Sequence, residues 1–462
     1  MPSISFNRFD LGIDLRKGAS VSDANRLRQM RNAYVTTGLA TAKRPGFVKV
    51  ADLEPGTKGL YSANGKLNTF SLSDVTHADS RFVANKLTAT SEATLKDIWY
   101  TDVFNGYFYV VIELSDGTIE HHYLDGSENT KITDAECPHT KACIKMQSKM
   151  FAVGKDGSTV RYSKTGDCKN WSETDDAGFL PTGLNSRGDR VANALGIYKK
   201  SLVVFAKDNA QIWTVDPDPT AMALDDIVEN VGTSFPRTVA SVGGDLYFLG
   251  DYGFRSITTL QYTNNLADVD VGSPIDSLVR AALETPDVNP RSFYFYGTGQ
   301  YVCVMGNHLF VYSISRTSKI AAWSEYFLSF PIEAVAEYNQ RLFVRSGDAV
   351  YQLDDTASTD DGQQYEMLVE LPYMDFKKPG VLKHIRGMDV VFDGSAYVSI
   401  GYNANDPDAF TPELLVSGNT RPGGLIPFEC VGTEFSIRVR NYDAKPFQLN
   451  GITLYYELLD TV

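Results

Sequence analysis

The chain has 462 residues, 43% of them hydrophobic and 12% aromatic, and its 43 Lys and Arg against 57 Asp and Glu give a net charge of −14. That length supports two or three domains, or one large β domain with a smaller companion, and the acidic balance argues against a protein that wraps nucleic acid by neutralising phosphates. Residues 1–16 lack the apolar core of a signal peptide and no run approaches the roughly 20 apolar residues of a membrane helix, so the sequence predicts a soluble protein made in a cytoplasm.

Residues 1–50 form a separate basic leader, with Arg8, Arg16, Lys17, Arg26, Arg28, Arg31, Lys43, Arg44 and Lys49 against Asp10, Asp14 and Asp23. It reads as a solvated basic arm, with docking on an acidic partner as the alternative. A short helix is expected over 23–30. A hairpin is expected from 32–35 and 39–43, ended by Arg44-Pro45-Gly46-Phe47, because proline stops a strand ladder and glycine completes a turn.

From 51 to 358 one pattern recurs, a short apolar strand, a tight polar turn and a second apolar strand. Its copies are 106–114 with 118–124, 149–153 with 159–163, 201–206 with 210–215, 245–249 with 254–258, 301–305 with 308–313, and 341–345 with 349–353. A weaker copy lies at 66–72. Asp-Gly, Gly-Asn and Gly-Asp between β-rich runs accept the positive φ of hairpin turns. Successive copies start 40 to 56 residues apart, close to the ~40–50 residues of a four-stranded propeller blade. The fold class expected is therefore all-β, a β-propeller of about six or seven blades. The hairpins would form inner or middle strands, and the stretches carrying Trp171-Ser172-Glu173 and Trp323-Ser324-Glu325 the remaining ones. One amphipathic helix is expected over 274–283, capped by Ser273, with Ile275, Leu278, Val279 and Ala282 on one face.

The acidic stretch from Asp354 to Gly362 reads as a linker or an exposed loop, with a calcium loop as the alternative. Residues 359–462 then carry strands at 365–371, 387–392, 396–402, 434–441 and 448–456, expected to form a C-terminal β-sandwich. In the fourth, Phe435, Ile437 and Val439 alternate with Ser436, Arg438 and Arg440, one face buried and one wet.

No Walker-type loop, nucleotide fingerprint, nucleophile elbow or paired-His zinc helix occurs, so no enzymatic activity, catalytic residue, cofactor or metal is expected. His121-His122 reads as surface or edge histidines, since strand neighbours point to opposite faces. Cys137, His139 and Cys143, with Cys168, read as a loop with reduced thiols, a structural zinc being the alternative. Residues 162–171 resemble the aspartate box of sialidases, which in that family is a folding element. Arg44, Arg438 and Arg440 read as solvated charges. The functional alternative makes them, with Arg28 and Arg31, contacts to neighbouring subunits or an adaptor.

The order of parts resembles the tail hub or nozzle proteins of short-tailed phages, also called packaged-DNA stabilisation proteins or tail tubular protein B. The residues that carry the resemblance are the Asn32-Ala33-Tyr34-Val35 hairpin with Lys43-Arg44-Pro45-Gly46-Phe47, the repeated hairpins, and Val271-Gly272-Ser273-Pro274-Ile275-Asp276 before a short helix. The stretch 307–312 leading to Trp323-Ser324, then 372–383, and the closing run 446–452 with Tyr455-Tyr456 complete it. The resemblance implies a non-enzymatic virion protein in a ring, a hexamer, below the portal and its adaptor. The ring would touch tail fibre, spike or needle proteins and enclose a channel that holds double-stranded DNA and conducts it on ejection, without reading its sequence. A glycan-binding or sialidase-like propeller is the alternative function.

Overall fold

Hairpins form wherever the turn chemistry asks for them. Tyr107–Leu114 pairs antiparallel with Ile119–Leu124, Lys149–Val153 with Val160–Tyr162, Ser201–Phe205 with Asn209–Thr214, Asp245–Gly250 with Gly253–Ser256, and Gln300–Met305 with His308–Ser315. Arg341–Ser346 neighbours Ala349–Asp354 in the same way along its sheet. The weaker copy is also a hairpin, Thr57–Ala63 with Lys66–Ser71, turning at Asn64 and Gly65 with φ of 52° and 69°. The computed structural model describes residues 2–20, 22–125, 129–172, 176–258, 270–285, 288–406, 408–420 and 424–459.

Contacts group the chain into two compact units. One holds residues 50–294 and 332–351, here the repeat unit. The other, the leader unit, holds 1–49, 295–331 and 352–462. The segment 295–331, which carries one of the repeated hairpins, therefore groups with the leader and the C-terminal strands.

The repeat unit is an all-β, propeller-like stack of small sheets taken in chain order. Sheet I is Thr57–Ala63, Lys66–Ser71 and Phe82–Lys86; sheet II is Leu95–Phe104, Tyr107–Leu114, Ile119–Leu124 and Asn129–Lys131. Sheet III is Cys143–Met146, Lys149–Val153, Val160–Tyr162 and Gly178–Leu180, and sheet IV is Ala194–Tyr198, Ser201–Phe205, Asn209–Thr214 and Ala223–Glu229. Sheet V is Ala240–Val242, Asp245–Gly250 and Gly253–Ser256; sheet VI begins with Ala334–Tyr338 and Arg341–Ser346. The recurrent hairpins of sheets II to V are thus their second and third strands. First strands pack in succession, that of VI on I, I on II, II on III, III on IV and IV on V.

Each gap between neighbouring sheets is filled by its own apolar cluster, which is why flat sheets stay stacked. Leu60, Leu67, Phe343 and Val350 fill VI to I; Phe70, Phe108, Val110 and Ile112 fill I to II. Tyr109, Val111, Met150 and Trp171 join II to III, Phe151, Val160, Leu202 and Trp213 join III to IV, and Val203, Phe205, Leu246 and Phe248 join IV to V. The rings of Phe205 and Phe248 lie 4.7 Å apart between centroids, a pair worth about 0.5–1.5 kcal/mol beyond the area it buries. The early chain also reaches sheet VI. The amide of Leu53, which precedes sheet I, donates to Asp348 O at 2.7 Å at the edge of sheet VI.

The leader unit has two sheets. In one, Ala33–Val35, Thr41–Lys43, Gln448–Leu458, Lys383–Asp393 and Ile426–Gly432 lie in that order, and Ser3–Phe6 also pairs with Gln448–Leu458. In the other, Gln300–Met305, His308–Ser315 and Ile320–Phe327 continue into Gln29–Arg31, Met367–Glu370, Ser436–Asn441, Ser395–Gly401 and Leu414–Ser417. The strands Leu414–Ser417 and Ile426–Gly432 have weak alternation and are absent from the sequence reading.

Four expectations are corrected here. Residues 23–30 form no helix: Gln29–Arg31 is a strand pairing with Met367–Glu370, and Arg26 turns back to Asp14 and Asp23. The predicted helix starts at Asp276, after a 3₁₀ turn Ser273–Ile275, so Ser273 donates to Asp270 O and caps nothing. Trp171 and Ser172 lie in a loop, where Asp134 accepts both their amides; Glu173 lies outside the described residues. The 354–362 stretch is not exposed throughout, as a linker or exposed loop would be, because Asp360 is buried at 1% exposure.

Candidate functional site

Among the first strands of the repeat unit lies a cavity of about 230 Å³, whose walls include Tyr61, Asp97, Trp99, Arg237, Arg291 and Glu333. Sheets I and II approach closely beside it. Gly59 has φ +74° and a Cβ there would stand 2.9 Å from Ile98 Cγ1, so only glycine allows this contact without a shift. Arg237 enters on the 3₁₀ turn Pro236–Thr238 that leads into sheet V. It donates to Asp97 Oδ2 at 2.7 Å and to Ile98 O at 2.8 Å, and its guanidinium carbon lies 3.7 Å from the Trp99 ring centroid. Sheets II and V are not neighbours in the stack, so this ion pair bridges the middle of the unit.

Trp99 is held from several sides. Its Nε1 donates to Glu113 Oε2 at 2.6 Å, and Lys141 Nζ lies 4.3 Å from the ring centroid. Burial works to raise the Glu113 pKa, but hydrogen bonds from Lys96, Trp99 and Lys141 outweigh it and hold the carboxyl at about 2. Arg291 opens the strand Arg291–Phe295 and stands 3.9 Å from Asp97 Oδ2. Burial, and then the neighbouring Arg237, bring its pKa down to about 10, against the pull of Asp97 and Glu333. Sequence reasoning named none of these residues. Arg237 and Asp97 lie 140 positions apart, and no local pattern marks either.

The five arginines proposed from sequence as interface contacts all fall in the leader unit, in different settings. Arg44 is fully buried, not solvated. Its Nε donates to Asn32 Oδ1, Nη1 to Asp360 Oδ1 and Pro45 O, and Nη2 to Asp360 Oδ2 at 2.5 Å and Phe327 O, with the Tyr365 ring 3.8 Å away. Every N–H of the guanidinium is used, which is what allows a charge to be buried. Arg438 is also not on a wet face: it pairs with Glu370 at 2.9 Å and stacks 3.6 Å over Phe410. Arg28 reaches the same Glu370 at 3.7 Å. Arg440 pairs with Glu366 and Glu413, and Arg31 is exposed, 5.6 Å over Phe327.

His121 and His122 are buried at 0% exposure, which corrects their reading as surface or edge residues. Asn129–Lys131 pairs beyond their strand and makes it interior. His121 contacts Tyr109 Oη and Thr140 O at 2.7 and 2.8 Å, whereas His122 faces Glu120 at 3.0 Å. Cys137, Cys143 and Cys168 share one apolar cluster with Trp171. Burial pushes the Cys137 and Cys168 thiols up to about 12 and Cys143 well above its usual value, so all three are protonated and unreactive. Among the described residues no group of three or more His, Cys, Asp or Glu is placed to hold a metal ion.

Burial lowers the His121 pKa to about 3, against about 6.5 in an unfolded chain. The folded state then refuses a proton that the unfolded state accepts, so its stability contribution is complete above pH 6.5 and is lost as the pH falls toward 3. The expected slope is about 1.4 kcal/mol per pH unit. Denaturant midpoints between pH 7 and 4 check the slope, and the imidazole resonances of the folded protein should show His121 still neutral at pH 5.

No family model and no curated protein matches the chain. Among solved structures, a chain from the crystal structure of the mitotic checkpoint complex is similar with a TM-score of 0.35 and 9% identity, over 76% of this chain and 94% of that one. Among the described residues no helix is long and apolar enough to cross a membrane.

Proposed function

We propose that the chain is a structural subunit of the tail hub or nozzle of a short-tailed phage, built as a propeller of about six or seven blades with a C-terminal β-sandwich. The observation that carries the function is the order of parts, in which Lys43-Arg44-Pro45-Gly46-Phe47 is the most compact piece. It is no loose arm: Arg44 is locked to Asp360, and Lys43 donates to Asn441 and the Asp443 carbonyl. Leader and C-terminal strands form one unit, which supports reading the leader as part of the fold.

In this role the subunits assemble as a hexameric ring on the portal and adaptor, carry fibre, spike or needle proteins, and line a channel for double-stranded DNA. The protein is made in the host bacterium and resides in the virion tail. The DNA path in this reading is the space that the ring of subunits encloses. A wall of net negative charge repels phosphates and lets DNA slide. Of the five arginines, Arg31 is the one left exposed for a contact with a neighbouring subunit, while Arg44 serves the fold.

Native mass spectrometry of the purified protein, alone and with adaptor rings, is expected to show a sixfold assembly. A strict monomer that binds or hydrolyses glycans would sink the nozzle reading in favour of the glycan-binding one.

A further inference from the structure

The charged groups of the repeat-unit cavity are not all used by one another. Asp97 and Arg237 satisfy each other, Oδ1 of Asp97 accepting its neighbour's amide, Ile98 N, and Oδ2 accepting Arg237 Nη1. Two groups are left. The Arg291 side chain, 21% exposed, makes no hydrogen bond of its own among the described residues: its ion contact is to the already engaged Asp97 at 3.9 Å, and Glu333 acts on it only through its charge. Glu333 has its amide fixed by Arg345 O at 2.8 Å, while its carboxylate has no hydrogen bond or ion pair among the described residues. Both line the same 230 Å³ space. That volume is below the roughly 300 Å³ at which drug-sized pockets begin.

We propose that this cavity binds a small zwitterion, its carboxylate received by the Arg291 guanidinium and its ammonium by the Glu333 carboxylate. A free α-amino acid is the smallest molecule of that class. A guanidinium offers two parallel N–H donors to a carboxylate, and the aromatic walls at Tyr61 and Phe293 suit an apolar side chain. A dianion such as phosphate is disfavoured, because it would lie beside the carboxylates of Asp97 and Glu333, with Arg237 already hydrogen-bonded to Asp97. A zwitterion adds no net charge to the pair that awaits it. The site stands apart from ring assembly, and its test does not depend on the oligomeric state.

The full chain is titrated by ligand-observed NMR with each of the twenty proteinogenic amino acids, and with acetate and methylammonium as half-ligands. At least one amino acid is expected to saturate at millimolar concentration or below, at least tenfold tighter than acetate. Arg291→Gln is expected to weaken both the amino acid and acetate at least tenfold, and Glu333→Gln to weaken the amino acid while leaving acetate unchanged. The wild-type comparison stands even if a variant does not fold. No saturable amino acid, acetate binding as tightly as the best amino acid, or two folded variants that bind like wild type would each overturn the proposal.

Discussion

Replacing Asp360 with alanine is expected to cost about 3–5 kcal/mol of folding stability, because it leaves the Arg44 charge buried without its carboxylate. The two side chains are 0% and 2% exposed and meet through two hydrogen bonds, Nη1 to Oδ1 at 2.9 Å and Nη2 to Oδ2 at 2.5 Å. Asp360 Oδ1 also accepts the Phe47 amide at 3.1 Å, so the substitution orphans a backbone donor as well. Urea unfolding followed by tryptophan fluorescence reads the effect as a lower midpoint. The double replacement Arg44→Met with Asp360→Leu is expected to recover part of the loss, because apolar groups of similar volume leave no charge in the interior. A loss below about 1 kcal/mol for Asp360→Ala would mean that water reaches the pair and that the leader is not locked as described.

Trp171→Ala is expected to destabilise the repeat unit by about 3–5 kcal/mol, the range for removing a large aromatic side chain from a packed core. Trp171 is 0% exposed, lies in the cluster between sheets II and III, and donates through Nε1 to Cys168 O at 2.9 Å. Its loop is fixed by Asp134, which accepts the Trp171 and Ser172 amides at 2.7 and 3.0 Å. Leu184→Ala is the control, since Leu184 is 86% exposed and surface changes of that kind stay within about 0.5 kcal/mol. A thermal midpoint for Trp171→Ala equal to that of the control would show that the two sheets are held by other contacts.

Hairpins were legible because turn and strand preferences act over a few residues. Asp116-Gly117 and Asp156-Gly157 place glycines with φ of 85° and 70° at the turns, and the alternating strands beside them pair without help from elsewhere. The same locality explains the misses. The 23–30 stretch carries helix formers, yet its end is claimed by Met367–Glu370, more than 300 residues on. His121-His122 looks polar enough for a surface until Asn129–Lys131 covers the strand's open edge. Arg438 alternates with apolar residues as a wet face should, but Glu370 and Phe410 close over it.

By itself the sequence determined where the repeated hairpins lie, where they turn, and that the repeat has a blade-like period, because those follow from φ preferences and period-two patterning. Only the tertiary structure decided which charges are buried and which face open space. Arg44 and Asp360 are 316 positions apart and Arg237 and Asp97 are 140, and the free energy of a charge depends on what surrounds it in space. The same holds for Arg291 and Glu333, ordinary in the sequence, whose side chains are left without a hydrogen-bonded ion partner once Arg237 has taken Asp97.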